Sequence, residues 1–363
     1  MTEGANGRRD VLLVGGVPLG CAEDAFRAAA TALGERISRI PGSEAGEPPR
    51  WVKWQRDIVE RNTAFELDPE EKAMCGGNTS DAPAARVRIG GDHGRKSARH
   101  LPRFRVRHGI GPDEVRFERI GHAQAAEDSY GVFARLRDEG VIRPGTRFQI
   151  ALPTAAAFLN GHIVPTHHAR AEQPYLHCLF DEVARITGAI PHRDLTIQWD
   201  VFAEMAQWEG VCPTHFADIK HGVLHRLAQH CNRLPAAVEL GVHLCYGGTG
   251  ERHWMEPDDT SNMVALLNGL VPLIERQIDY VHIPVPSDRV DDDYFAPLKN
   301  LKLRRTTRLY LGLVHAEDGL EGARARIETA HKFVPQFGIA TECGLGSRAP
   351  ETIAALLRMH AEL

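Results

Sequence analysis

Eight short apolar runs of β type, bounded by turn residues and separated by helical patterns, constrain this chain more than any other feature. They begin at Val11 (VLLVG), Arg36 (RISRIP), Arg147 (RFQIALP), Leu195 (LTIQWD), Val238 (VELGVHLC), Asp279 (DYVHIPV), Arg308 (RLYLGLV) and Phe337 (FGIATECG). Apolar residues at i, i+3, i+4 spacing fill the stretches between them, from Ala22 to Leu33, Tyr130 to Glu139, Leu176 to Ile186, Phe216 to Cys231, Met263 to Ile274, Leu320 to Phe333 and Pro350 to Met359. Strand and helix alternate throughout. Because parallel crossovers are right-handed, the pattern predicts an α/β protein, a (β/α)8 TIM barrel forming a single domain over 1–363. A doubly wound open sheet is the alternative. About a hundred residues separate the second and third runs, which predicts an insertion over 48–115 lying as a flap at one barrel mouth. It contains WVKWQ from Trp51, the Cys75-Gly-Gly segment and a basic stretch from Arg86 to His108 with eight Lys/Arg and one acid, Asp92.

Composition narrows the function. With 43% apolar and 25% charged residues the chain can bury a large core, which excludes global disorder. A net charge of −5 argues against nucleic acid or an anionic membrane as partner and toward a small-molecule substrate; a homo-oligomer is compatible with it. No window approaches the roughly 18 apolar residues of a membrane span, and MTEGANGRRD lacks the apolar centre of a signal peptide, so a cytoplasmic protein is expected. The seven cysteines are odd in number and scattered, which fits free thiols or metal ligands better than a disulfide framework.

Active sites of such barrels gather at the carboxyl ends of the strands, and here those ends are rich in ligand-type residues. The first leads into Gly15-Gly16-Val17-Pro18, the second into the loop of Glu44 and Glu47, the third into Thr154, the fourth ends at Asp200, the fifth at His243-Leu244-Cys245, the sixth carries His282, the seventh ends at His315 and the eighth at Glu342-Cys343-Gly344. His243 and Cys245 are two apart on a strand and share a face, and Cys343 arrives at the same level from another strand. One imidazole and two thiolates suit Zn²⁺ and leave a position for substrate. A core histidine with buried thiols is the plainer alternative. A loop after the third strand adds His162, His167 and His168, either solvated histidines or a substrate contact. The basic stretch reads as a solvated flap or as a lid drawing in an anionic substrate, and Trp51 and Trp54 as core packing or as a stacking surface.

These strings carry a resemblance. HLCY at His243 and ECGLGSR at Glu342 resemble the H-M-C-Y and D-C-G-L-K-x-R zinc-ligand motifs of the cobalamin-independent methionine synthases, in the same order and about a hundred residues apart. IQWD at Ile197 resembles the family's I-Q-I-D-E-P strand end, whose Asp holds the substrate amino group; VGGVP at Val14 resembles its I-G-S-F-P turn, and GSEAGEPPRW at Gly42 its Gly-Glu…Arg substrate loop. The resemblance covers the family's catalytic carboxyl-terminal barrel, with no counterpart for the insertion. It implies a zinc-dependent transferase with His243, Cys245 and Cys343 as ligands.

Departures from the family alter the expected chemistry. The family's additional Glu ligand on the sixth strand corresponds to Pro284, so His282, two residues earlier on the same face, is the expected substitute; Glu342 or the substrate are the other candidates. Gly16 stands where the family has a carboxylate-binding Ser, and Asp200 is followed by Val-Phe in place of Glu-Pro. The family's D-I-H becomes His315-Ala316-Glu317, an acid/base pair in exchanged order. A methyl- or alkyl-transferase acting on a thiol other than homocysteine is therefore expected. His315 and Glu317 would handle protons, and Asp200 with Gly16, Glu44, Glu47, Thr154 and the three loop histidines would hold substrate. Related barrels such as uroporphyrinogen decarboxylase make a metal-dependent carbon–carbon lyase, decarboxylase or hydrolase the alternative reaction class. A non-catalytic ligand-binding barrel is the third reading.

Overall fold

Seven of the eight runs pair into one curled parallel sheet whose strand order follows the sequence without interruption. The computed structural model describes residues 9–42, 51–71, 88–89, 101–249 and 252–363. The strands are β1 (Arg39–Pro41), β2 (Arg147–Pro153), β3 (Leu195–Val201), β4 (Glu239–Leu244), β5 (Tyr280–Pro284), β6 (Arg308–Val314) and β7 (Gly338–Thr341). A doubly wound sheet reverses its strand order at a switch point; here the order runs one way throughout, which removes the doubly wound alternative.

The first run, VLLVG, forms only bridges. Val11 pairs in parallel with Ile37, just before β1, and with Ile339 in β7, so it touches both sides of the gap between the sheet's edges. Further along, the carbonyls of Leu13 and Val14 accept hydrogen bonds from the Gln149 amide at 3.0 and 3.1 Å, and Gln198 also donates to Val14 at 2.7 Å. Side chains inside the sheet take the place of ladder partners, which is why a run with strand periodicity stops short of being a strand. The alternation itself persists. Val11 and Leu13 belong to the large core outside the sheet, and Leu12 and Val14 join Tyr280, Tyr310 and Ala340 in a small second cluster.

The concave face is layered. At its lower end Arg39, fully buried, pairs with Glu239 at 2.7 Å and donates to the Tyr310 hydroxyl at 3.1 Å. Above it the Tyr280 hydroxyl donates to Gln198 at 2.9 Å. Register then carries Asp200, His243 and His282 side by side at the carboxyl ends of β3, β4 and β5, with their side chains on the same face. Outside, the expected helices form, Ala22–Leu33 and Gly319–His331 nearly as read, while His122–Asp138 and His168–Ala189 start well before the apolar patterns at Tyr130 and Leu176. Each buries one stripe; Ala25, Phe26, Ala29 and Leu33 are the stripe of the first.

Within the insertion, Val52, Val59, Phe65, Phe104 and Val106 are buried in the main core, and Phe65–Leu67 pairs antiparallel with Phe104–Val106. Arg88–Ile89 pairs antiparallel with Met255–Glu256, in the loop after β4. Cys75 and most of the basic stretch lie outside the described residues.

Candidate metal centre

His243 on β4, Cys245 just beyond it and Cys343 just beyond β7 bring one nitrogen and two sulfurs within 4.8 Å of one another. The two Sγ atoms are 3.5 Å apart, and Cys343 Sγ is 3.8 Å from His243 Nε2. A tetrahedral zinc, with Zn–S of about 2.3 Å and Zn–N of about 2.0 Å, separates its sulfurs by about 3.8 Å and sulfur from nitrogen by about 3.5 Å. The donor types suit zinc, and these two separations are close to what it requires. Without a cation, the neighbouring Cys343 and burial hold the Cys245 thiol well above its ordinary pKa, and the Asp200 carboxylate pushes the same way. The Gly247 backbone N–H donates to Cys245 Sγ at 3.3 Å, as suits a sulfur carrying negative charge.

His282, expected as a replacement ligand, stands beside the cluster instead of joining it. Its Nδ1 is 2.8 Å from His243 Nδ1, and its Nε2 is 3.0 Å from the Thr341 carbonyl, so both ring nitrogens are engaged away from the thiols. Glu342, the other protein candidate, is drawn off by the Arg348 guanidinium, with which it forms a buried ion pair, and its second oxygen faces His315 Nδ1 at 3.4 Å. Asp200 does face the site: Gln198 donates to its Oδ1 at 2.8 Å, fixing the carboxylate beside His243. Gly16 is buried in the turn after the first run, and neighbouring Gly15 approaches Gly344 so closely that a β-carbon on Gly15 would sit 3.3 Å from the Gly344 Cα. That turn therefore lies against the Cys343 loop, and a side chain on Gly15 would force the two backbones apart.

The His315 and Glu317 pair does not form. His315 is completely buried, with Nε2 donating to the Val285 carbonyl at 2.9 Å, whereas Glu317 is exposed and accepts from the Ser287 hydroxyl. The carboxylate that faces His315 is Glu342. Of the three loop histidines, His168 Nε2 donates to the nearby Ile163 carbonyl, and the other two serve the insertion: His162 Nε2 donates to the Val52 carbonyl at 2.9 Å and His167 Nδ1 accepts from the Val106 N–H at 3.2 Å. Backbone groups of an insertion packed on a core need partners, and these imidazoles supply them. Burial drives the His168 pKa down to about 4, so it is neutral. Thr154 is buried beside Glu204. Trp54 packs edge-on against His122 and over Gly121. Glu44 and Glu47 lie outside the described residues.

No protein-family model and no curated protein matches the sequence. Among solved structures, a B12-independent methionine synthase from Shewanella sp. W3-18-1 in complex with selenomethionine superposes with a TM-score of 0.54 at 16% identity, over 94% of this chain and 86% of that one. A protein from Listeria monocytogenes assigned as a vitamin-B12-independent methionine synthase gives 0.51 at 13% identity, over the same shares of the two chains. The chain has the fold of the cobalamin-independent methionine synthases.

Within that methionine synthase fold, several residues of the site escaped sequence reasoning. Gln198 was one residue of a quoted motif, yet its polar side chain on the inner face of a buried strand signalled a holder for Asp200 and Val14. Arg348 closes the ECGLGSR string, and six residues from Glu342 it was in reach of a buried pair. Thr341 acts through its backbone carbonyl, which no side-chain pattern could announce.

Proposed function

We propose that this chain is a zinc-dependent methyl- or alkyl-transferase acting on a thiol other than homocysteine, on a (β/α)8 barrel that closes through Val11. The cluster of His243, Cys245 and Cys343 at the carboxyl ends of β4 and β7 carries the reading. These three residues would hold a zinc ion, whose chemistry there would be to lower the pKa of a substrate thiol toward the thiolate at neutral pH. Asp200, fixed by Gln198, orients the polar end of the substrate beside the Gly16 turn, and Glu44 and Glu47 are assigned to substrate binding on their sequence motif alone. His315, whose Nδ1 faces Glu342 at 3.4 Å directly next to Cys343 in the chain, is the residue assigned to proton transfer.

A metal-dependent carbon–carbon lyase is the second reading. It is favoured by Pro284, which has no donor atom where the related transferases are expected to place a carboxylate ligand, and whose carbonyl is already occupied by the Tyr294 hydroxyl at 3.1 Å. Incubating zinc-loaded protein with a panel of thiols and methyl donors, with products read by mass spectrometry, tests the transferase. Zinc-dependent appearance of an alkylated thiol supports it; full activity in metal-free protein ends it. Release of carbon dioxide or of a cleaved carbonyl product without alkyl transfer selects the lyase.

A further inference from the structure

We propose that His282 is a positioning residue that fixes the tautomer of His243, so that the His243 Nε2 lone pair is aimed at the thiol pair before any metal arrives. The inference rests on the zinc reading above for its purpose, but its geometry stands in the protein alone.

The argument is one of proton counting. A carbonyl oxygen can only accept a hydrogen bond, so the 3.0 Å contact between His282 Nε2 and the Thr341 carbonyl places a proton on that nitrogen. A neutral imidazole carries one ring proton, so His282 Nδ1 is then an acceptor. The charged form would put an imidazolium in a ring that is fully buried, which is costly. His243 Nδ1, 2.8 Å away, must supply the proton of that contact, because two bare nitrogens at this distance would oppose their lone pairs. The ring proton of His243 is thereby placed on Nδ1, and Nε2 is left bare, 3.8 Å from Cys343 Sγ.

The relay also ties two ligands to one strand end. Thr341 closes β7, and two residues later comes Cys343, whose own carbonyl accepts the Thr341 hydroxyl at 2.6 Å. The backbone that sets the level of one thiol thus sets, through His282, the rotation of the imidazole opposite it. A residue standing beside the position of an expected ligand has become the partner of a neighbouring one. Such partners commonly change metal affinity by about 10- to 100-fold when removed.

Two measurements test this. In metal-free protein with ¹⁵N-labelled histidine, long-range ¹H–¹⁵N correlation should show His243 in the Nδ1–H form; an Nε2–H form overturns the proposal whether or not the protein binds zinc. In zinc competition against a chromogenic chelator, H282F should bind about 10- to 100-fold more weakly than the native protein. H282Q, whose amide offers both an acceptor and a donor, should recover most of the loss. Undiminished affinity in H282F overturns the proposal. So does X-ray absorption of the zinc-loaded native protein and H282F showing that the phenylalanine removes an imidazole from the metal, because His282 would then be a ligand. Should H282F fail to fold, the tautomer of the native protein decides the matter. A native protein that shows the expected tautomer but binds no zinc removes the functional reading and leaves the relay.

Discussion

The Sγ atoms of Cys245 and Cys343 lie 3.5 Å apart although 98 residues separate them in the chain. They meet because β4 and β7 end at the same level of the curled sheet, and His243 Nε2 completes the group. Protein purified without added metal should carry about one zinc per chain, measured by atomic absorption. Cys245→Ser and Cys343→Ser should each lose it, whereas the exposed Cys21→Ser should keep it. Circular dichroism of the two metal-site variants should remain native, because a core of this size does not depend on a metal for folding as a small finger does.

A second expectation concerns substrate. Asp200 is held at 2.8 Å by Gln198, whose amide also bonds Val14, so its carboxylate is fixed before substrate binds. With Gly16 in place of a hydroxyl donor, an amino-acid carboxylate lacks a hydrogen bond to a charged group, of the kind typically worth about 1.5 to 3 kcal/mol. Methionine formation from homocysteine and methylated folate should therefore be absent, and synthase-like turnover would refute the altered specificity. On the true substrate, Asp200→Asn should raise KM and lower kcat together.

Proton transfer gives the third. His315 meets Glu342 at 3.4 Å, and Glu342 is in turn paired with Arg348 in a site that all three bury. His315→Asn should retain zinc and lower turnover by about 10²- to 10⁴-fold, the usual range for one acid/base group. Loss of zinc in the variant would instead give His315 a role in holding the Cys343 loop. Unchanged metal and rate would remove it from the mechanism.

The strands were legible because buried parallel strands write themselves as continuous apolar runs; RFQIALP coincides with β2 to the residue. The metal ligands were legible because strand periodicity puts His243 and Cys245 on one face. What escaped depends on partners distant in sequence. His282 looked like a ligand because it shares that face, and only the Thr341 carbonyl, brought in by β7, turns it away. The loop histidines looked like site residues until the insertion backbone at Val52 and Val106 claimed two of them. VLLVG has the alternation of a strand, but Gln149 and Gln198 bond its carbonyls from inside the sheet, a contact without sequence periodicity.

The last expectation lies outside the metal centre, where Glu204 is fully buried and burial raises its pKa to about 7, an effect the Thr154 hydroxyl partly offsets and Glu172 reinforces. The space it lines is shared with Glu172, His168, His215, Arg226 and His230. Glu172 is already committed, to Arg226 at 2.6 Å and His215 at 3.1 Å. Because the folded protein holds the Glu204 proton more tightly than the unfolded chain, stability falls as pH rises from the ordinary carboxylate range to about 7, and is level beyond. The shift corresponds to a loss on the order of 3 kcal/mol. Glu204→Gln, which mimics the protonated form, should match the native protein in urea unfolding near pH 4.5 and exceed it by roughly that amount at pH 8. His122, His230 and His360, pulled down to about 4 by burial, act in the opposite sense, removing stability as pH falls from about 6.5 toward 4. They titrate in both proteins, so the difference between variant and native isolates Glu204. A difference that does not grow with pH would mean that Glu204 is ionised in the folded state and stabilised by a partner strong enough to offset its burial.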